Sequence, residues 1–325
     1  MITILAEDVN DAYVQGVRLA LTSGVMETSR AGCVVVVPEP VVTTTTNPTH
    51  RVLLDRKRRA NPFFHLFESL WMLQGDRNAR WLDQFVSDFS ERFAEEDGAQ
   101  WGAYGYRWRS HFGRDQIETC VRLLRNDNTD RRVVITMWDP SVDLDAAKFT
   151  KSGEPPKDVP CNTHIYPRIH NNRLSLTVCC RSNDLYWGAH GANAVHFSFL
   201  LEYMAGRIGV QPGALHQVSN NYHGYVSVLP EKMPLHGSGC YERLGVSAMP
   251  IMTRPEDWDR DLDLFMGNPL CDPKVFENEW FWKVAQPMWR ANLDRLARDR
   301  ASFDVSTREI RATDWQMAVR MWRPE

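Results

Sequence analysis

Cys161 follows Pro160 directly, and a little further along the chain Arg181, Ser182 and Asp184 stand in one short run ahead of Asn193. A thiol, a guanidinium, a hydroxyl, a carboxylate and a carboxamide therefore come from a single stretch, Asp158 to Gly206. These are the groups needed for covalent catalysis on a small anion that carries a planar, amide-like ring. The thiolate is the nucleophilic form of cysteine, and cations such as Arg181, Arg131 and Arg132 favour it. The competing reading of Cys161 is an inert small hydrophobe, the commoner use of a single cysteine. Arg30, Arg131, Arg132 and Arg181, with Ser182, are suited to a phosphate monoester through charge-assisted, often bidentate hydrogen bonds. Taken singly, each arginine also reads as solvated surface charge.

Asn193 precedes an apolar helical stretch, where asparagine commonly caps a helix. Its carboxamide also offers one donor and one acceptor side by side, which matches N3–H and O4 of uracil better than the corresponding edge of cytosine. His223 and Tyr225 flank Gly224, so on a strand they share a face and could both bond a sugar hydroxyl. They read equally well as a satisfied polar pair on a sheet. GAHGAN lacks the GxGxxG spacing of a dinucleotide fingerprint, which sets a nicotinamide cofactor aside.

These residues need a frame. Helical spacing of apolar residues runs from Asp8 to Leu21, and CVVVV is an apolar β-branched strand. Asn61-Pro62 opens PFFHLFESLWML, a helix apolar almost all round and hence buried, with Glu68 inside it. A carboxylate there is costly without a partner. Trp101 to Gly113 reads as an aromatic-rich loop, Arg132 to Trp138 as a buried strand, and Asp139 to Pro160 as a flexible excursion. Strand alternation resumes at Thr163, turns at Asn171-Asn172 and returns through LSLTVCC. A helix covers Asn193 to Arg207, a strand Ala214 to Tyr225, and amphipathic helices most of Pro273 to Trp322.

The bulk numbers suit one α+β domain over residues 1–325, with a mixed, twisted sheet backed by helices. With 43% apolar and 24% charged residues the chain is an ordinary core-former, and a net charge of −3 gives no field favouring nucleic acid or a membrane surface. No apolar run reaches a membrane span, and the N-terminus lacks the features of a signal peptide. Seven cysteines without framework spacing predict a reduced, cytoplasmic protein, and none is spaced as a zinc site.

Six runs in order carry a resemblance. ESLWMLQGD, YGYRWR, DRRVVITMWDP, PCN, RSNDLYWG and HGY resemble the thymidylate synthase and pyrimidine-nucleotide hydroxymethylase family over about Arg30 to Tyr225. That resemblance implies a symmetric homodimer with shared active sites, acting on a pyrimidine nucleoside monophosphate with 5,10-methylenetetrahydrofolate as one-carbon donor and no metal. It puts catalysis on Cys161, Glu68, Tyr104 and Asn193. Substrate phosphate falls to Arg30, Arg181, Ser182 and, from the partner, Arg131 and Arg132; ribose falls to His223 and Tyr225. Folate falls to Asp184, Trp81 and Gly188. The implied chemistry adds the Cys161 thiolate to C6, lets C5 take the one-carbon unit, and passes through a reactive exocyclic methylene. Hydride then gives a methyl group; water gives a hydroxymethyl group.

Departures bear on that fork. Most thymidylate synthases have histidine after the nucleophile, proline-phenylalanine before the asparagine and glutamine before the arginine; here stand Asn162, Gly191-Ala192 and Cys180. The final MAVRMWRPE also lacks the family's hydrophobic closing tail. These differences favour a 5-hydroxymethylase, with dUMP ahead of dCMP or CMP. A methylating thymidylate synthase is the alternative, and a non-catalytic nucleotide- or RNA-binding relative is the alternative from another class. A cysteine hydrolase would need a histidine base, and His164 sits too close on the same strand to serve.

Overall fold

β-Branched runs and two-residue alternation organise the chain into strands. In the computed structural model, which describes residues 1–29, 32–150, 153–230, 233–234 and 237–322, these are β1 (Ile2–Ala6), β2 (Val25–Ser29), β3 (Gly32–Val37), β4 (Val41–Thr45), β5 (Ile135–Thr136), β6 (Asn162–His170), β7 (Arg173–Cys180), β8 (Asn183–Asp184), β9 (Gln211–Ser219) and β10 (Tyr222–Tyr225). Six of them form a sheet in the order β1-β4-β9-β7-β6-β5, and the others a smaller sheet in the order β2-β3-β10-β8. Both mix parallel and antiparallel neighbours, β7 and β9 running parallel while β6 and β7 form a hairpin. Asn171 and Asn172 turn that hairpin with φ of 48° and 57°, the left-handed pair that a tight turn between twisted strands demands. The expected α+β class with a mixed sheet backed by helices is the one found.

Helices cover the larger sheet. Asn61 caps the Pro62–Gln74 helix, its side chain accepting from the amides of Phe63 and Phe64 at 3.1 Å each, and Gly75 closes it at φ 83°. The Asn193–Ile208 helix packs beside it, buried along almost its whole length. Phe67, Phe85, Phe265 and Trp289 interlock between the first of these and the later helices. Residues 273–322 are largely helical as expected, and Trp322 sets its ring against Phe63 at 5.7 Å. Residues 323–325, the end of the MAVRMWRPE run expected to lack a closing tail, lie outside the described residues.

Four local expectations need correction. Trp101–Gly113 is not all loop: Tyr104–Tyr106 and Arg107–His111 are helical. The buried Arg107 guanidinium anchors that turn on Asp143 and on the carbonyls of Trp101 and Met137, and Gly105 lets it approach Met72, whose carbonyl would lie 2.0 Å from a Cβ. The Arg132–Trp138 strand shrinks to Ile135–Thr136, because the amides of Met137 and Trp138 both turn to the Thr163 carbonyl. The single strand Ala214–Tyr225 is two strands in different sheets, divided at Asn220-Asn221, whose backbone bonds to Cys180 and Asn183. The Asp139–Pro160 excursion carries short helices at Pro140–Asp143 and Ala146–Phe149, the first holding Asp143 for Arg107.

Candidate functional site

Cys161 lies between a loop and β6, half-buried, and two neighbours, Arg181 and Tyr104, hold that loop. Arg181 donates from Nε to the Pro160 carbonyl at 2.8 Å and from Nη2 to the Val159 carbonyl at 2.9 Å. Its backbone amide donates to the Cys161 carbonyl at 2.9 Å. The amide of Cys161 in turn donates to the Tyr104 hydroxyl at 3.3 Å. Burial, with the Cys161 thiol close by, pushes the Tyr104 hydroxyl well above its ordinary value, so it keeps its own proton to donate. Elsewhere burial raises the thiols of Cys120, Cys179, Cys180, Cys240 and Cys271, which makes them poor nucleophiles.

Behind Tyr104 sits a second polar group. The His196 ring lies edge-on to Tyr104 at 5.8 Å, and its Nδ1 is 3.9 Å from Glu68 Oε2. All three atoms, Glu68 Oε2 and both ring nitrogens of His196, are buried without a hydrogen-bond partner. Asp158, three residues before the nucleophile, accepts from Gln100 at 2.6 Å, and burial raises its carboxyl above the usual range. Glu68 was expected in this role from the sequence; His196 was not. It stands at i+3 from Asn193, a spacing that puts both on one helix face and could have marked it.

Asn193 is the first residue of its helix, as expected, but its side chain does not cap it. A π-helical stretch, Leu185–Ala192, leads into the Asn193–Ile208 helix, interrupted only where Gly191 takes φ −115°, ψ −121°. With no capping to do, its side chain joins a row of amides. Gln217 Nε2 donates to the Ala189 carbonyl at 2.9 Å, and Asn183 Nδ2 donates to Gln217 Oε1 at 3.3 Å and to Ser219 Oγ at 2.9 Å. Asn193 Nδ2 donates to Asn183 Oδ1 at 3.0 Å, and Asn162 Nδ2 donates to Asn193 Oδ1 at 3.3 Å. A backbone carbonyl only accepts, so Ala189 sets the direction of every amide in the row. Asn193 retains one N–H and one lone pair, and the fully buried Asn162 ends the row with an Oδ1 that has no partner.

Other expected residues spread around this centre. Gly188 lies against the row: a Cβ there would come within 2.7 Å of Asn183 Oδ1 and 3.3 Å of Asn193 Nδ2. Asp184 caps the π-helical stretch by accepting from the Trp187 amide; burial raises its carboxyl, and its Oδ2 is buried without a partner. The β10 residue His223 pairs in register with Asp184, and its ring meets that of Tyr225 edge-on at 5.5 Å. Ser182 is half-buried between β7 and β8. Trp81 belongs to the aromatic cluster, 5.2 Å from Phe85 and 6.0 Å from Trp289. Arg131 and Arg132 do not begin a strand; the Arg132 guanidinium is exposed and folds back on Asp130 at 2.9–3.0 Å. Arg30 lies outside the described residues. Among the described residues no trio of His, Cys, Asp or Glu is grouped to hold a metal, and no helix is long and apolar enough to cross a membrane.

The chain that carries this constellation is similar in sequence to known proteins. The thymidylate synthase family profile matches residues 11–235. The deoxyuridylate hydroxymethyltransferase of Pseudomonas phage M6 is 38% identical over 340 residues, covering 99% of this chain and 93% of that protein. That of Bacillus phage SP01 is 32% identical over 258 residues, 74% of this chain and 64% of its own length. A putative thymidylate synthase of Methanothermobacter marburgensis is 32% identical over 165 residues, half of this chain and 69% of its own. The profile spans well over half of the chain and the first of these relatives almost all of it, so the protein belongs to the thymidylate synthase family and to its one-carbon transferases.

Proposed function

We propose that this enzyme is a deoxyuridylate 5-hydroxymethylase. The Cys161 thiolate adds to C6 of the pyrimidine, and C5 takes its one-carbon unit from 5,10-methylenetetrahydrofolate. Water, rather than hydride, then completes the product. Arg181 and Ser182, with Arg30 and the partner subunit's Arg131 and Arg132, take the phosphate; His223 and Tyr225 take the sugar; Asp184, Trp81 and Gly188 border the folate. One domain spans residues 1–325, and two copies form a cytoplasmic homodimer that shares its sites.

The observation that carries this reading is the amide row ending beside Cys161. Asn193 reaches a base edge with its acceptor and donor in a set order, and in the order that suits O4 and N3–H it rejects the reversed edge of cytosine. Phage relatives named for deoxyuridylate support the same base. Water capture is supported by Asn162, which follows the nucleophile in the chain where most thymidylate synthases carry histidine and whose buried amide oxygen has no partner. For the folate, the buried, unpartnered Asp184 Oδ2 is a ready acceptor for a ring N–H.

The test is C5 tritium release from labelled dUMP, dCMP, UMP and CMP with methylenetetrahydrofolate, followed by mass analysis. The expected result is release with dUMP, a product heavier by one CH2O unit and no dihydrofolate absorbance. Stoichiometric dihydrofolate with a methylated nucleotide makes the enzyme a thymidylate synthase. Nucleotide binding without release makes it a non-catalytic relative.

A further inference from the structure

The proposed reaction ends with an addition that needs a base. Water carries a proton that must leave as its oxygen bonds to the exocyclic carbon, and a positioned side chain speeds such a transfer. Glu68 is one buried group in the region. The structure holds a second, which the sequence comparison did not assign.

His196 is 2% exposed, and neither of its ring nitrogens has a hydrogen-bond partner. A buried donor or acceptor left without a partner is costly, so two on one ring call for a compensating use. Packing alone does not supply it: Phe197 and Tyr104 present ring edges and faces, which a phenylalanine would meet equally well. What distinguishes the place is Glu68, with its unpartnered Oε2 3.9 Å from His196 Nδ1, too far for a direct hydrogen bond but within ion-pair distance. Across the ring, Tyr104 leads to the amide of Cys161, and Asn193 lies one turn back on the same helix face.

We infer that His196, backed by Glu68, is the proton acceptor for water capture; this rests on the hydroxymethylase reading. The step balances as follows in bonds and charge. An O–H bond of water breaks and its proton goes to a ring nitrogen of His196. The oxygen bonds to the exocyclic methylene carbon, and the displaced electron pair moves to C5 and O4 as an enolate. Return of that pair forms C5=C6 and expels the Cys161 thiolate from C6. The proton held between His196 and Glu68 is then returned to solvent.

The experiment follows two products in one reaction of the full-length enzyme with C5-tritiated dUMP, methylenetetrahydrofolate and β-mercaptoethanol. Tritium release reports formation of the methylene, and mass analysis divides its fate between hydroxymethyl nucleotide and the thioether left by the added thiol. His196→Asn and His196→Gln keep a polar amide near the site of one ring nitrogen or the other but cannot take the proton. Circular dichroism and melting identify which variant keeps the native fold and is read. The expected result is a ratio of hydroxymethyl product to tritium released that falls about 100-fold, a matching rise in thioether, and partial restoration by added imidazole. A ratio equal to wild type, or product and tritium falling in proportion, places His196 outside water capture. If the wild-type enzyme itself makes dihydrofolate and a methylated nucleotide, the hydroxymethylase reading fails instead, and that is seen before any variant is compared.

Discussion

Arg181 grips the carbonyl of Pro160 at 2.8 Å, so an arginine at the end of β7 holds the residue that immediately precedes the nucleophile. With Nη2 on Val159, the guanidinium is committed on one edge to the loop it fixes. Charge on this residue and geometry at Cys161 are therefore linked.

Arg181→Ala is expected to lower kcat as well as raise KM for the nucleotide, because it loosens the loop and removes a cation. Two charge-assisted bonds of about 1.5–3 kcal/mol each make a loss of at least about 100-fold in kcat/KM reasonable. Arg181→Lys keeps the charge but not the fork, so it should recover KM more than kcat. Steady-state tritium release separates the two.

Gly188→Ala tests the amide row without touching an amide. The added methyl would meet Asn183 Oδ1 at 2.7 Å, and the Asn183–Asn193 bond must give way. We expect destabilisation of about 1–3 kcal/mol by chemical denaturation and a reduced preference for dUMP over dCMP. Unchanged discrimination would mean that the row does not orient Asn193.

Arg107 and Asp143 form a buried pair, 1% and 0% exposed in their side chains, joined at 2.7 and 2.9 Å. Removing one partner leaves the other charge stranded. Arg107→Met should cost about 3–5 kcal/mol, measured as a fall in the urea midpoint. A loss below 1 kcal/mol would remove the pair as anchor of the turn that carries Tyr104.

Burial raises the carboxyls of Asp8 and Asp314 to about 6 in the folded chain. An unfolded aspartate titrates near ~3.9. Between those values the folded chain holds more protons, so stability falls as pH rises from about 4 to about 6 and does not recover above. Asp314→Asn and Asp8→Asn, the latter still able to cap its helix, should flatten that slope. Denaturation midpoints across the interval measure it; a slope unchanged in the double variant refutes the assignment.

Mixing Cys161→Ala and Arg132→Ala chains tests the shared site. Each homodimer should be inactive or nearly so, and subunit exchange should restore activity in hybrids that hold one intact site. No recovery after confirmed exchange would put Arg132 out of reach of its neighbour's phosphate.

What could be read from the chain was what local physics decides. Asn61-Pro62 announces a capped helix because the capping bond spans only three residues, and Asn171-Asn172 announces a hairpin because both residues tolerate positive φ. The Tyr104 turn was missed because its support is distant: Met137 and Asp143 hold Arg107 from 30 and 36 residues further along the chain. Asn193 was read at the start of a helix, and the Asn193–Ile208 helix begins there, just after a kink at Gly191; what the sequence did not show was the amide row its side chain joins. Cys161, Arg181 and Glu68 stood out through residue type, burial cost and family likeness. Asn183, Gln217 and His196 did not, since an amide row and an unpartnered ring are facts of three-dimensional neighbourhood. The fold class was legible; the support of the site was not.

The amide row also bears on how this enzyme can evolve. Its direction is inherited from one peptide carbonyl, at Ala189, so each member is constrained by the one before it. Asn193→Asp, the shortest route toward a cytosine-reading pocket, would set a carboxylate oxygen against Asn183 Oδ1, an acceptor facing an acceptor. Turning Asn183 to relieve that would set its Oδ1 against Gln217 Oε1, whose direction the Ala189 carbonyl fixes. A change of base therefore has to arrive as a linked set of substitutions, and lineages that drift one residue at a time are held to the base they already use.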